Sequence, residues 1–248
     1  MKNKKIELSI IFNYIMDFVY PRRCPYCDDV LPIGMKICDK CKDKFVIIKE
    51  PLCKNCGKMI EDEDEEYCLD CNRKKFMYKE GRGLFLYNKE MKESISRFKY
   101  KARYEYADYY AESIYNNLGE YIKKLDIDVI IPIPIHKNKL RMRGFNQAGL
   151  VAKRLAKKMN IEYIDDMLIR IEDTKPQKEL SNIDRRNNLI NAISINDKVD
   201  VPECINNILL IDDIYTTGAT INACAKKLKL FNEKYNIYFV TVAIGKGM

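Results

Sequence analysis

Hydrophobic positions change their period several times along the chain, and each change marks an element. Residues 6–19 are mostly apolar, but Glu7, Asn13 and Asp17 interrupt them and no small-residue cleavage site precedes Pro21. That pattern predicts an amphipathic helix over residues 1–20 that packs on the protein rather than an export signal. Leu84-Phe85-Leu86-Tyr87, after a Gly81-Arg82-Gly83 linker, predicts a first strand. Residues 89–123 have helical spacing without proline and a single glycine, Gly119, which predicts two helices. Val129-Ile130-Ile131 before Pro132 is short, apolar and β-branched, as in a strand buried on both faces. A helix over 147–159, short strands at 167–171 and 192–195, a strand at 208–211, a helix over 218–231 and a strand near 237–243 follow. Strands alternating with helices predict an α/β fold, a mostly parallel sheet flanked by helices on both faces. Ligands then bind beyond the carboxyl ends of the strands.

At 248 residues the chain is long enough for one core and a smaller module. The net charge of +8 is uneven: about +1 falls in residues 1–80 and about +7 in the rest, a field suited to a polyanionic ligand. Beyond the amino-terminal stretch no run of 18 apolar residues occurs, so no bilayer-spanning helix is predicted.

Eight of the ten cysteines precede residue 72, in four Cys-x-x-Cys knuckles: Cys24 and Cys27, Cys38 and Cys41, Cys53 and Cys56, Cys68 and Cys71. Each knuckle offers two thiolates from a tight turn, and a second knuckle about ten residues on completes a tetrahedral zinc site. Two closed structural zinc sites result, with no open position for chemistry. Pairing in sequence order is favoured over an interleaved cross-brace, a choice that spacing alone leaves open. The acidic run Glu61 to Glu66 reads as the solvated tip of the second ribbon. Cys204 and Cys224 read as ordinary thiols.

The string ILLIDDIYTTGATI, residues 208–221, carries the candidate chemistry. Asp212 and Asp213 end a predicted strand, and Thr216, Thr217, Gly218, Ala219 and Thr220 form a turn opening a helix. Backbone N–H groups, hydroxyls and the helix dipole converge there on an anion. Two carboxylates beside that anion repel it unless they serve other groups, and vicinal ribose hydroxyls are such groups. An aspartate-capped strand end with a hydroxyl-rich turn is the alternative that these residues leave open. There is no Gly-x4-Gly-Lys-Ser/Thr, so the turn is not a P-loop.

Two further stretches are basic. The loop from Pro134 to Gly144 carries Lys137, Lys139, Arg141 and Arg143, cations suited to a pyrophosphate, and His136, the one histidine, which is assigned no role because a lone loop histidine is more often solvated than catalytic. Arg97, Lys99, Lys101 and Arg103 interleave with Phe98, Tyr100 and Tyr104, predicting a single-strand nucleic-acid stripe in which phosphates meet cations and bases stack on rings. Helical geometry turns some of those rings toward the core.

The whole 208–221 string resembles the phosphoribosyl pyrophosphate (PRPP) binding motif of type I phosphoribosyltransferases. The double ribbon, Ser96 to Lys101, Pro132-Ile133-Pro134 with Arg143-Gly144-Phe145-Asn146-Gln147, Gln177 to Asn188 and that string come in the order of the ComF (ComFC) competence protein family, which the chain resembles. Ala102 departs from it, since the family usually has glycine there.

The resemblance implies an amino-terminal helix over 1–20, a double zinc ribbon over 21–78 and a type I phosphoribosyltransferase-like domain over 79–248. It implies PRPP and magnesium at Asp212, Asp213, Thr216 to Thr220, Lys137 and Arg143, and a flexible loop, 175–188, whose Lys178, Arg185 or Arg186 reaches the pyrophosphate. Asp212, Asp213, Lys178 and Arg185 are then the catalytic candidates, and Arg97, Lys99, Tyr100 and Lys101 the nucleic-acid contacts. The implied role is DNA uptake in natural transformation, on incoming single-stranded DNA in the cytoplasm or at the inner face of the membrane, beside a competence helicase or other uptake proteins. A phosphoribosyltransferase of nucleotide metabolism or nucleobase salvage, with an unnamed acceptor, is the alternative. No glutaminase domain or amino-terminal catalytic cysteine accompanies the motif.

Overall fold

The computed structural model describes residues 20–171, 190–202 and 204–247. The predicted helix over 1–20 falls almost entirely outside the described residues, as does the loop 175–188 with Lys178, Arg185 and Arg186. In chain order the elements are α1 (Leu69–Arg73), β1 (Glu80–Leu86), α2 (Lys89–Tyr100), α3 (Tyr106–Lys124), β2 (Val129–Pro132), α4 (Lys137–Arg143), α5 (Gln147–Met159), β3 (Glu162–Tyr163), β4 (Leu168–Arg170), β5 (Ile193–Ile195), β6 (Asn207–Tyr215), α6 (Ala219–Phe231) and β7 (Asn236–Ile244).

Five strands form one sheet in the order β1-β7-β6-β2-β3, every neighbouring pair parallel. Ile208 to Ile211 are fully buried, as an unbroken apolar run between two covered faces must be. On one face α2, α3 and α5 pack Phe98, Tyr110 and Leu155 against Leu209, Ile211 and Val240. On the other, α6 and the antiparallel pair β4–β5 pack Ile221, Leu228, Leu168 and Ile193 against Ile208, Leu210 and Ile237.

Three predicted boundaries shift. Gly81 to Gly83 belong to β1 rather than to a linker, because the missing side chains let the Phe239 ring and Ile244 of β7 lie across the strand. β6 continues past Ile211 to Tyr215, pairing with β7 at Asp212 and again at Ile214 and Tyr215. Residues 137–143, read as loop, form α4, ended by Gly144 in the left-handed region.

The cysteines pair in sequence order. Cys24, Cys27, Cys38 and Cys41 form one cluster and Cys53, Cys56, Cys68 and Cys71 the other, with sulfurs in each within 4.8 Å of one another. Tetrahedral zinc at about 2.3 Å from each thiolate spaces the sulfurs about 3.8 Å apart. Cys27 to Cys38 at 3.8 Å and Cys56 to Cys68 at 3.6 Å fit that requirement.

Neither ribbon hangs free. The first is stitched to α2 and α3: Arg97 donates to the carbonyls of Pro25 and Tyr26 at 3.1 and 2.7 Å, Tyr106 to that of Cys24 at 3.1 Å, and Arg103 grips Asp28 with two bonds. The second lies on the opposite face of the sheet, where Ile48, Ile60 and Cys53 share a core with Tyr78, Phe239 and Ile244.

Candidate functional site

From β2 the chain crosses outward to β3, and from β6 it crosses the other way to β7, so the crossovers diverge between β2 and β6. At the carboxyl ends of those two strands an open cleft of about 160 Å³ lies between Ile133 to Ile135, Lys99, α4, the start of α5, Arg170 and the two aspartates. This is where an open parallel sheet takes its ligand.

Successive side chains of β6 alternate, and the two carboxylates therefore take different surroundings at one edge. Asp213, 8% exposed, turns toward α2, where Lys99 Nζ lies 2.7 Å from Oδ2. Burial disfavours the Lys99 ammonium, but the charges of Asp213 and Asp212 outweigh it and its pKa is raised. Asp212 faces α6 and accepts the Asp213 backbone N–H at 2.8 Å. Burial, with the charge of Asp213 beside it, nevertheless pushes its carboxyl up to about 8, against the opposing pull of Lys99 and Arg170.

Thr216 to Thr220 line a smaller pocket with Asp212, and Thr220 borders both spaces. Gly218 has φ of 73° and opens α6 without a side-chain cap. The first helical bond is Asn222 N–H to the Gly218 carbonyl at 2.8 Å, leaving the N–H groups of residues 219–221 outside the ladder and open to an anion.

The helical turn of α4 sorts the four predicted cations. Lys139 and Arg143, four apart, line the cleft, while Lys137 and Arg141 are exposed and do not. Arg143 donates to Gln147 Oε1 at 2.9 Å and to Tyr100 Oη at 3.2 Å, with its guanidinium over the Tyr100 ring. His136, assigned no role from the sequence, is buried: its Nδ1 accepts the Asn138 backbone N–H at 3.2 Å and caps α4.

The basic aromatic residues do not form one continuous stripe. Phe98 is fully buried, Arg97 and Arg103 are held by the first ribbon, and Lys99 turns into the cleft. Tyr100 and Lys101 stay exposed, and the Tyr104 ring packs on Phe145 at a tilt of 51°. The turn carrying them is made by Ala102, whose φ of 50° is the left-handed conformation that glycine adopts readily.

Lys99, Asn146 and Arg170 reach the cleft without having been predicted there. Among the described residues Asn146 Oδ1 and Arg143 Nε are buried there with no hydrogen-bond partner, the condition of groups that a ligand completes. Their local sequence did not point to the cleft, since Lys99 read as part of the basic stripe and the three come from separate parts of the fold.

Residues 15–72 match the model of the double zinc ribbon domain. Over 199 residues the chain is 30% identical to Competence protein ComFC of Bacillus subtilis (strain 168), covering 78% of each. It is 33% identical over 199 residues to Competence protein ComFC of Streptococcus pneumoniae (strain ATCC BAA-255 / R6), covering 78% of this chain and 81% of that one. Among solved structures it is similar to the xanthine-guanine-hypoxanthine phosphoribosyltransferase of Helicobacter pylori, 15% identical over 55% of this chain and 84% of that one, with a TM-score of 0.31. Identity at that level over more than three quarters of both ComFC proteins, with the double zinc ribbon at the amino-terminal end, means that the chain belongs to the ComF competence protein family.

Proposed function

We propose that the cleft binds PRPP with magnesium and that the protein serves DNA uptake by acting on incoming single-stranded DNA. The observation that carries the ligand is the pairing of two adjacent carboxylates with an uncapped helix start at the diverging crossovers of the sheet. In this reading Asp212 and Asp213 accept the ribose hydroxyls, and the turn from Thr216 to Thr220 takes the 5′-phosphate. Lys99, Lys139, Arg143 and Arg170 face the pyrophosphate. Magnesium, when bound, neutralises the pyrophosphate and is held from the protein side by the carboxylates. Names of the relatives support the DNA role: two are competence proteins ComFC, and shorter matches are named DNA utilization protein YhgH.

The chemistry that such a site supports is displacement of pyrophosphate at the anomeric carbon. The C–O bond to pyrophosphate breaks, its electron pair leaves with that group, and an acceptor nucleophile bonds to the ribose carbon. Positioning and charge stabilisation supply the rate. A metabolic phosphoribosyltransferase with a small acceptor shares the same cleft, which makes acceptor choice the discriminating measurement.

The test is a PRPP titration with magnesium, then pyrophosphate release with nucleobases or single-stranded DNA as acceptor. Asp212→Asn combined with Asp213→Asn is expected to abolish saturable PRPP binding in a folded protein. Unchanged affinity overturns the ribose assignment. Binding without turnover on any acceptor makes the site regulatory, and turnover on a free nucleobase alone favours the metabolic reading. Single-strand binding through the exposed Tyr100, Lys101 and Arg141 is expected to weaken steeply with salt.

A further inference from the structure

The turn from Thr216 to Thr220 is held at both ends by two consecutive residues that lead out of the second ribbon, Met77 and Tyr78. At the start of the turn, Tyr215 is 1% exposed, stacks flat on Phe239 at 4.8 Å and has its hydroxyl 2.7 Å from that of Tyr78. Tyr78 is itself 3% exposed and packs edgewise on the same Phe239. At the end of the turn, the Met77 backbone N–H donates to Asn222 Oδ1 at 2.7 Å, in the first turn of α6. Between those points Gly218 rests on Tyr215: a methyl group there would run into the tyrosine hydroxyl and come within 2.8 Å of Cζ.

The ribbon adds a lid to this arrangement. Lys58, 5% exposed, lies 5.9 Å from the Tyr215 ring centroid and is anchored to Asp70 at 3.0 Å. Residues 245–247 link the same two parts: Gly245 N–H reaches the Tyr215 carbonyl at 3.1 Å and Gly247 N–H the Met59 carbonyl at 3.2 Å.

We infer that the second zinc ribbon is a positioning element of the anion-binding turn, acting through Tyr78 on Tyr215 and through Met77 on Asn222. A buried hydroxyl pair has no water to fall back on, so its loss frees the ring beneath Gly218. A backbone donor on a side-chain amide is likewise lost when Asn222 is truncated. Among the described residues the first ribbon has no such link to the turn: Arg97 of α2 and Tyr106 of α3 are what hold it. The two ribbons thus divide the cleft, one holding the helix that delivers Lys99, the other holding the turn. The inference rests on the reading of that turn as the phosphate site only for its effect on PRPP.

Amide hydrogen exchange over residues 214–222 in the full, zinc-loaded chain reads the turn without any ligand. Tyr78→Phe and Asn222→Ala are each expected to speed exchange there about tenfold, with zinc content unchanged. Tyr78→Phe combined with Tyr215→Phe should be no worse than either alone, since all three remove one bond. PRPP affinity should fall by a similar factor. Cys68→Ser should speed exchange in the turn, and Cys38→Ser should speed it in α2 instead. Unchanged exchange over 214–222 in both Tyr78→Phe and Asn222→Ala overturns the inference, as does an equal effect of the two cysteine variants on the turn. Faster exchange in a protein whose unaltered form binds no PRPP upholds the brace and removes the PRPP reading.

Discussion

Lys99 Nζ stands 2.7 Å from Asp213 Oδ2, and the two side chains are only 19% and 11% exposed. The pair joins α2, which the first ribbon holds, to β6. Lys99→Met would leave Asp213 nearly buried beside Asp212 with its nearest cation gone, and is expected to cost roughly 2 to 4 kcal/mol in urea denaturation. Adding Asp213→Asn to it should recover most of that loss. A cost below about 0.5 kcal/mol would mean that the pair is solvated and contributes little.

The Asp212 carboxyl predicts a pH dependence of the ligand-free protein. The folded state keeps its proton up to about 8, whereas an unperturbed carboxyl loses it near 3.8. Between those values the folded state binds more protons than the unfolded chain, so stability falls as pH rises from about 4 to about 8. Asp212→Asn removes that contribution and should be the more stable protein at pH 8. Affinity for magnesium with PRPP should rise over the same upper range, because the ligand needs the ionised form. Denaturation midpoints of both proteins across pH settle the first point and titrations the second.

Metal analysis is expected to give two zinc ions per chain, one for each four-cysteine cluster. Because the second ribbon shares a core with the sheet and the first is bonded to two helices, chelation should lower the melting temperature of the whole domain rather than melt a separate module. Two calorimetric transitions, one insensitive to chelator, would contradict this.

Ala102 adopts a left-handed backbone at φ of 50°. That conformation costs roughly 1 to 2 kcal/mol for a residue with a side chain. Glycine removes the strain but adds unfolded-state entropy worth about 0.4 to 1 kcal/mol. Ala102→Gly is therefore expected to stabilise the protein by about 0.5 to 1 kcal/mol, read as a higher denaturation midpoint with the cleft unchanged.

Much of the frame was legible because it is written in local patterns. The unbroken run Ile208 to Ile211 could only be a strand covered on both faces, and Cys-x-x-Cys spacing brings two thiolates to one metal whatever surrounds them. The aspartates and the turn after them were legible as a site for the same reason, since they are neighbours in the chain. α4 was missed because four cations in seven residues mask a helix without an apolar face, and β1 was entered late because its glycines look like a linker.

The residues that complete the cleft are separated in sequence. Lys99 sits among cations and rings that read as one stripe, and only the packing of Phe98 into the core and of Arg97 onto the first ribbon decides that Lys99 points at Asp213. Arg170 and Asn146 arrive on a different strand and a different helix. Likewise, nothing local says that Tyr78 will meet Tyr215 across 137 residues of chain. By itself the sequence determined most of the strands, though not the two-residue edge strand β3, along with the metal ligands and the contiguous acidic and hydroxyl motif, whose chemistry depends on spacing along one backbone. The tertiary structure decided which cations serve the carboxylates and which ribbon supports the turn, because those contacts depend on how distant faces pack and no short-range pattern encodes them.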